Sequence, residues 1–136
     1  MPFVDSFPPR MSNAGPLKVL VVEDEAIVAL DIENMLEEIG CKVVASVPRL
    51  VKALYLASSL DIDLAVLDIN LAGEVVYPLA FRLAERGIPF VFSTGYSTAT
   101  LPSELRDRPL VKKPVTLGGL KNAVSMARTG MRIVRS

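Results

Sequence analysis

The sequence predicts an α/β domain in which a doubly wound, five-stranded parallel sheet, order 2-1-3-4-5, is covered by helices on both faces. Three observations carry this. Short apolar runs alternate with amphipathic stretches along most of the chain, which argues for parallel strands joined by right-handed crossovers. The runs Leu17–Val22 and Leu64–Leu67 are apolar except for Lys18, as central strands covered on both faces should be. Both run straight into acids, Glu23-Asp24-Glu25 in one case and Asp68 in the other. In open α/β sheets, ligands and chemistry collect at that C-terminal edge.

Taken in order, residues 1–16 contain Pro2, Pro8, Pro9 and Pro16 and show no apolar period, so a flexible tail is expected. Strand one is Leu17–Val22. Helix one spans Ala26 to Ile39, where Val28, Ile32, Met35, Leu36 and Ile39 make one stripe, and Gly40 supplies its left-handed cap. Strand two is Lys42–Val47. Pro48 opens a second helix at a position where its missing N–H is harmless, and that helix runs to Ser59 with Leu50, Ala53, Leu54 and Ala57 inward. Strand three, Leu64–Leu67, ends at Asp68. Helix three covers Val75 to Arg86 with Val76, Ala80 and Leu83 on its core side, Pro78 in its first turn and Gly87 closing it. Strand four, Pro89–Ser93, delivers Thr94 to the edge. The segment from Gly95 to Pro109 holds too many breakers for a regular fourth helix, so at most a short turn is expected around Ser103–Arg106. Strand five, Leu110–Lys112, ends at Lys113-Pro114. The last helix, Leu117 to Arg128, packs through Leu117, Leu120, Val124 and Ala127, and Met131 can extend that stripe. The domain is therefore expected over 17–130, with 131–136 extending the last helix or trailing from it.

Composition narrows the function classes. A chain of 136 residues with 51% hydrophobic content suits one domain with a single core. Fifteen basic residues balance fifteen acidic ones, so no overall field draws the chain to nucleic acid or to an anionic membrane. The balance is uneven along the chain: residues 103–136 carry 8 basic and 2 acidic groups. That is an ordinary solvated face or a docking patch for an acidic partner, with Lys121 and Arg128 as the residues to test. The single cysteine, Cys41, excludes a disulfide framework and reads as a small core residue. The absence of histidine excludes Ser-His-Asp triads, Cys-His dyads and histidine-ligated zinc. No apolar run approaches a membrane span and the N-terminus lacks a secretion signal, so a cytoplasmic location is expected.

With strands one and three adjacent, Glu23, Asp24 and Asp68 meet. Three carboxylates in one small space repel each other unless a cation sits among them, which points to a divalent metal. Four strand ends then converge, adding Thr94 and Lys113, and each residue type answers a need of phosphoryl transfer to a carboxylate. Asp68 is the candidate nucleophile. Mg2+, or Mn2+ in its place, finds protein ligands in Glu23, Asp24, Asp68 and the backbone carbonyl of Asn70. Lys113 can pair with Asp68 at rest and with a phosphoryl oxygen afterwards, and the Thr94 hydroxyl can donate to another.

In Val-Val-Glu-Asp-Glu at 21–25, Leu-Asp-Ile-Asn-Leu at 67–71, Ser-Thr-Gly-Tyr at 93–96 and Lys-Lys-Pro-Val at 112–115, the sequence resembles the receiver domain of two-component response regulators, from residue 17 to about 130. The resemblance implies the flavodoxin-like strand order, phosphorylation of Asp68 by a sensor histidine kinase, Mg2+ dependence and a switch through Thr94 and Lys113. Three features depart from the usual pattern. Leu110 stands where receivers carry an aromatic switch residue. Phe92-Ser93-Thr94-Gly95 is similar to the Phe-Ala-Thr-Gly motif of an alphaproteobacterial receiver subgroup, in which Tyr96 is either the mobile aromatic or a plain loop residue. The loop after Asp68 has Ala72-Gly73-Glu74 in place of the common proline and later glycine.

The expected role is a single-domain response regulator in a phosphorelay, monomeric or weakly dimeric. It catalyses only its own phosphorylation and dephosphorylation and acts on a downstream or phosphotransfer protein, as shuttle, sink or regulator. A phosphorylation-independent binding module is the main alternative, and the intact acid set argues against it. An aspartyl-phosphate-forming phosphatase is the other: Asp61-Ile62-Asp63 is superficially similar to the Asp-x-Asp of haloacid-dehalogenase-type enzymes, but Ser58-Ser59-Leu60 precedes it where an apolar strand is needed.

Overall fold

The apolar runs pair into one parallel sheet in which the two strands that run into acids lie side by side. The computed structural model describes residues 15–95 and 101–130. The expected tail up to residue 14, Tyr96, Met131 and the expected extension over 131–136 lie outside the described residues. In chain order the strands and helices are β1 (Lys18–Val22), α1 (Ala26–Ile39), β2 (Lys42–Val47), α2 (Leu50–Ser59), β3 (Leu64–Asp68), β4 (Asn70–Leu71), β5 (Glu74–Val75), α3 (Tyr77–Glu85), β6 (Phe90–Thr94), β7 (Leu110–Lys112) and α4 (Leu117–Arg128). The sheet order is β2-β1-β3-β6-β7, which is the expected 2-1-3-4-5 once the short β4–β5 hairpin is set aside.

Side chains alternate across the sheet and build two core layers. Val19, Val21, Leu64, Val66, Val91 and Val111 meet Ile32 and Leu36 of α1 and Leu120 and Val124 of α4. Leu20, Leu67, Phe90 and Phe92 meet Ala53 and Ala57 of α2 and Leu79, Ala80 and Leu83 of α3. All five residues of β3 and all five of β6 are buried, which is why those stretches read as unbroken apolar runs up to their polar ends. Cys41 joins the α1/α4 layer; burial pushes its thiol up, and Arg128 only partly counters this.

Local chemistry sets the boundaries. Gly40 adopts φ 103°, and its N–H returns to Glu37 and Leu36, closing α1 as expected. Thr116 caps α4, its side chain accepting from the Gly119 N–H at 3.1 Å. In place of a fourth crossover helix, the described residues show a single 3-10 turn at Ser103–Leu105. No helix among the described residues is long and apolar enough to cross a membrane.

Three local expectations are corrected. Arg49 is the N-cap of α2, so Pro48 stands before the helix and does not open it. Helix α3 starts at Tyr77 with Pro78 in its first turn, because Glu74 and Val75 pair with Leu71 and Asn70 in a hairpin. Leu117 belongs to the apolar stripe of α4 by spacing, yet it is 37% exposed because it stands in the first turn, and the core contacts begin at Leu120.

Candidate functional site

The register of the sheet builds the site. Val22 pairs with Leu67, so the next residues in the two chain segments, Glu23 and Asp68, stand side by side at the C-terminal edge of the sheet. Asp68 pairs in turn with Ser93 on β6, and Thr94 pairs with Lys112 on β7. The Lys113 N–H donates to the Thr94 carbonyl at 2.9 Å, which ties the ends of β6 and β7 together. The Lys113–Pro114 peptide is cis. Four strand ends therefore converge, as the sequence suggests.

Glu23, Asp24 and Asp68 offer carboxylate oxygens that all lie within 4.8 Å of one another. Against these stands Lys113, whose Nζ lies 2.9 Å from Glu23 Oε1, 3.2 Å from Asp68 Oδ2 and 3.6 Å from Glu25 Oε1. The Lys113 side chain must cross the end of β6 to make these contacts. Thr94 is 1% exposed at that end. Asp24, Glu25, Asp68, Asn70, Ala72, Gly73, Gly95 and Lys113 line an open cleft of about 640 Å³.

Charge in this cleft is unbalanced, and the proton affinities record it. Burial pushes the Asp68 carboxyl up, the Glu23 charge adds to it, and Lys113 opposes both; the outcome is about 7, against an ordinary 3.8. Asp24 moves the other way. Burial raises it, but its contacts with Asp68 and Glu23 and the Ala72 amide outweigh that and hold it low. At Lys113, burial works against the ammonium, and the Glu23 and Asp68 carboxylates outweigh it, so its proton is held more tightly than usual. A site with three carboxylate donors in reach of one another and one lysine among them fits a hard divalent cation that takes oxygen ligands.

Backbone amides complete the arrangement. The Glu25 N–H donates to Glu23 Oε2 at 3.0 Å and the Asn70 N–H to Asp68 Oδ1 at 3.3 Å. The Ala72 N–H donates to Asp24 Oδ2 at 3.0 Å. Glu23, Asp24, Asp68, Asn70, Thr94 and Lys113 are thus brought to one edge, and Tyr96 lies outside the described residues. Two contributors were not legible as site residues. Glu25 joins the cleft because the start of α1 turns its side chain back toward Lys113, and its place in the acidic run was the available signal. Ala72 contributes through its backbone, for which side-chain identity gives no signal beyond the missing proline.

Asp61 and Asp63 lie at the opposite edge. Asp61 Oδ2 accepts from Lys18 Nζ at 2.6 Å, and Asp63 Oδ2 from the Lys18 N–H at 2.8 Å. The pair holds the start of β1 against the turn before β3, away from the cleft.

A doubly wound sheet with a cation-fitting acid cluster at its C-terminal edge defines the class of protein; the comparisons then give the family. The family profile described as "Response regulator receiver domain" matches residues 19–125. The transcriptional regulatory protein PdtaR of Mycobacterium tuberculosis is 29% identical over 123 residues, covering 88% of this chain and 60% of PdtaR. The solution structure of SdrG from Sphingomonas melonis Fr1 superposes with a TM-score of 0.73 at 40% identity, covering 81% of this chain and 94% of SdrG. The PhyR stress response regulator superposes with a TM-score of 0.73 at 27% identity, covering 85% of this chain and 46% of that one. This chain thus spans less than two thirds of PdtaR and less than half of PhyR. The chain belongs to the response regulator receiver domain family. Receiver domains serve two-component systems, bind Mg2+ through acidic residues and interact with histidine kinases and downstream proteins.

Proposed function

We propose that residues 17–130 form a phosphoaccepting receiver in which Asp68 takes a phosphoryl group from the phosphohistidine of a sensor histidine kinase. The observation that carries this reading is the placement of Asp68, 5% exposed, in the cleft beside Glu23, with Lys113 Nζ bridging the two carboxylates. In the transfer, an Asp68 carboxylate oxygen forms a bond to phosphorus as the phosphorus–nitrogen bond of the donor breaks, and the departing imidazole keeps the electron pair and takes up a proton. Mg2+, or Mn2+, held by Glu23, Asp24, Asp68 and the Asn70 carbonyl, supplies positive charge for the phosphoryl oxygens. Lys113 moves its hydrogen bond from Asp68 to a phosphoryl oxygen. The Thr94 hydroxyl donates to another, and because the Thr94 carbonyl is bonded to the Lys113 N–H, the β6 and β7 ends respond together.

The response leaves the site by a route that lacks the usual aromatic. Leu110 pairs with Phe92 and packs half-buried against the α2/α3 core. Tyr96 is the candidate for the mobile ring. The readout is a change in protein contacts, with exposed Lys121 on α4 in the basic C-terminal part as the surface to test. PhyR of Bartonella quintana is described as an anti-anti-sigma factor, which favours a protein as the downstream partner here too. We place the protein in the cytoplasm as a monomer or weak dimer, with no substrate besides the phosphodonor.

The test is the intact mass after exposure to a small phosphodonor with Mg2+. One phosphoryl addition is expected, lost in Asp68→Asn and lost without metal. No addition under any condition rejects the reading.

A further inference from the structure

The hairpin that follows Asp68 is strained, and its strain aims an amide at the acid cluster. Ala72 and Gly73 form the two-residue turn between β4 and β5 with φ of 53° and 94°, the left-handed pair of a type I′ turn. Glycine adopts that conformation freely at position 73, whereas alanine at 72 does so at a cost. The surroundings hold it there. Leu71 is fully buried, the Asn70 side-chain oxygen accepts from the Gly73 N–H at 2.9 Å, and the Val76 N–H returns to the Ile69 carbonyl at 2.9 Å. With the turn so fixed, the Ala72 N–H meets Asp24 Oδ2 at 3.0 Å across 48 residues of sequence. The first hairpin residue meets the other strand's acid, the Asn70 N–H donating to Asp68 Oδ1 at 3.3 Å.

We infer that the Ala72 amide is a positioning group for the cation site: by holding Oδ2 it fixes the orientation of the Asp24 carboxylate relative to Asp68. One hairpin thereby sets two acids from two strands, which like-charge repulsion would otherwise drive apart. Groups that orient metal ligands in this way typically contribute tenfold or more to affinity. A proline at position 72 has no N–H and cannot reach a left-handed φ, so it cannot make this contact. Because coupling is reciprocal, a cation on Asp24 must also steady the hairpin. The inference rests on Mg2+ binding at Glu23, Asp24 and Asp68 as proposed above.

The experiment titrates Mg2+ calorimetrically, with no phosphodonor, into the unmodified protein, Ala72→Gly and Ala72→Pro, and follows amide hydrogen exchange at residue 72 in the unmodified protein. Ala72→Gly keeps the N–H and relieves the strain, so it should bind Mg2+ as the unmodified protein does and melt at a higher temperature. Ala72→Pro should bind roughly tenfold more weakly. Mg2+ should slow exchange of the Ala72 amide, a readout that needs no variant and stands even where proline disturbs the fold. Unchanged affinity in Ala72→Pro, or an Ala72 amide whose exchange ignores Mg2+, overturns the inference alone. Failure of the unmodified protein to bind Mg2+ overturns the cation site with it.

Discussion

The two edges of one sheet treat their acids in opposite ways. At the edge where β1 begins, Asp61 and Asp63 each meet a donor of Lys18, its ammonium at 2.6 Å and its backbone N–H at 2.8 Å, and Asp61 remains largely in water. At the edge where β1 ends, Glu23, Asp24 and Asp68 crowd within 4.8 Å, Glu25 stands nearby, and one lysine serves them. Acids matched one to one with donors cost little and hold a turn. Acids in excess of their cations, crowded and partly taken out of water, strain the fold and fit a divalent cation. The contrast separates structure from chemistry in a single domain.

The largest expected difference between the edges is in phosphoryl incorporation. Asp68→Asn should abolish it, whereas Asp61→Asn and Asp63→Asn should leave it at the unmodified level; intact mass after treatment with phosphodonor and Mg2+ reads all three. The second difference is in stability. Lys113→Met strands the Glu23 carboxylate, whose side chain is 1% exposed, and should cost about 3 kcal/mol in denaturant unfolding of the metal-free protein. Addition of Mg2+ should return part of that loss.

A third difference is in pH dependence. Asp68 holds its proton up to about pH 7 in the fold, against 3.8 ordinarily, so the folded chain binds a proton that the unfolded chain releases. That contribution is complete below about pH 4 and disappears as pH rises through about 7, so metal-free stability should fall across this window. Asp68→Asn should flatten the slope and stabilise the metal-free protein at pH 8. Thermal melts at pH 5 and pH 8 without divalent ions check both. The smallest effect belongs to the other edge: Lys18→Met removes a pair whose Asp61 side chain is 74% exposed and should cost less than about 1 kcal/mol.

Much of this arrangement was legible in the residues. β3 and β6 are fully buried and β1 is buried beyond Lys18, so their sequences are apolar runs, and the acids that follow β1 and end β3 mark the edge where those two strands meet. Helix α1 read well because its stripe and its Gly40 cap agree. The hairpin was hidden because β4 and β5 have two residues each, too short for any alternation to show, and its turn uses an alanine where left-handed geometry normally favours glycine. The start of α3 was misplaced for the same reason. Leu117 shows that spacing gives the face of a helix and not how far the sheet beneath it reaches.

The central claim is that the excess charge at this edge exists to carry a phosphoryl group on Asp68. The most direct test treats the protein with a phosphodonor and Mg2+, reduces the product with borohydride, and locates the residue converted to homoserine by peptide mass. Conversion at position 68, dependent on Mg2+ and blocked by prior acid hydrolysis of the phosphate, is the predicted result. Homoserine at residue 24, 61 or 63, hydroxynorvaline at residue 23, or no reduced residue at all, contradicts it.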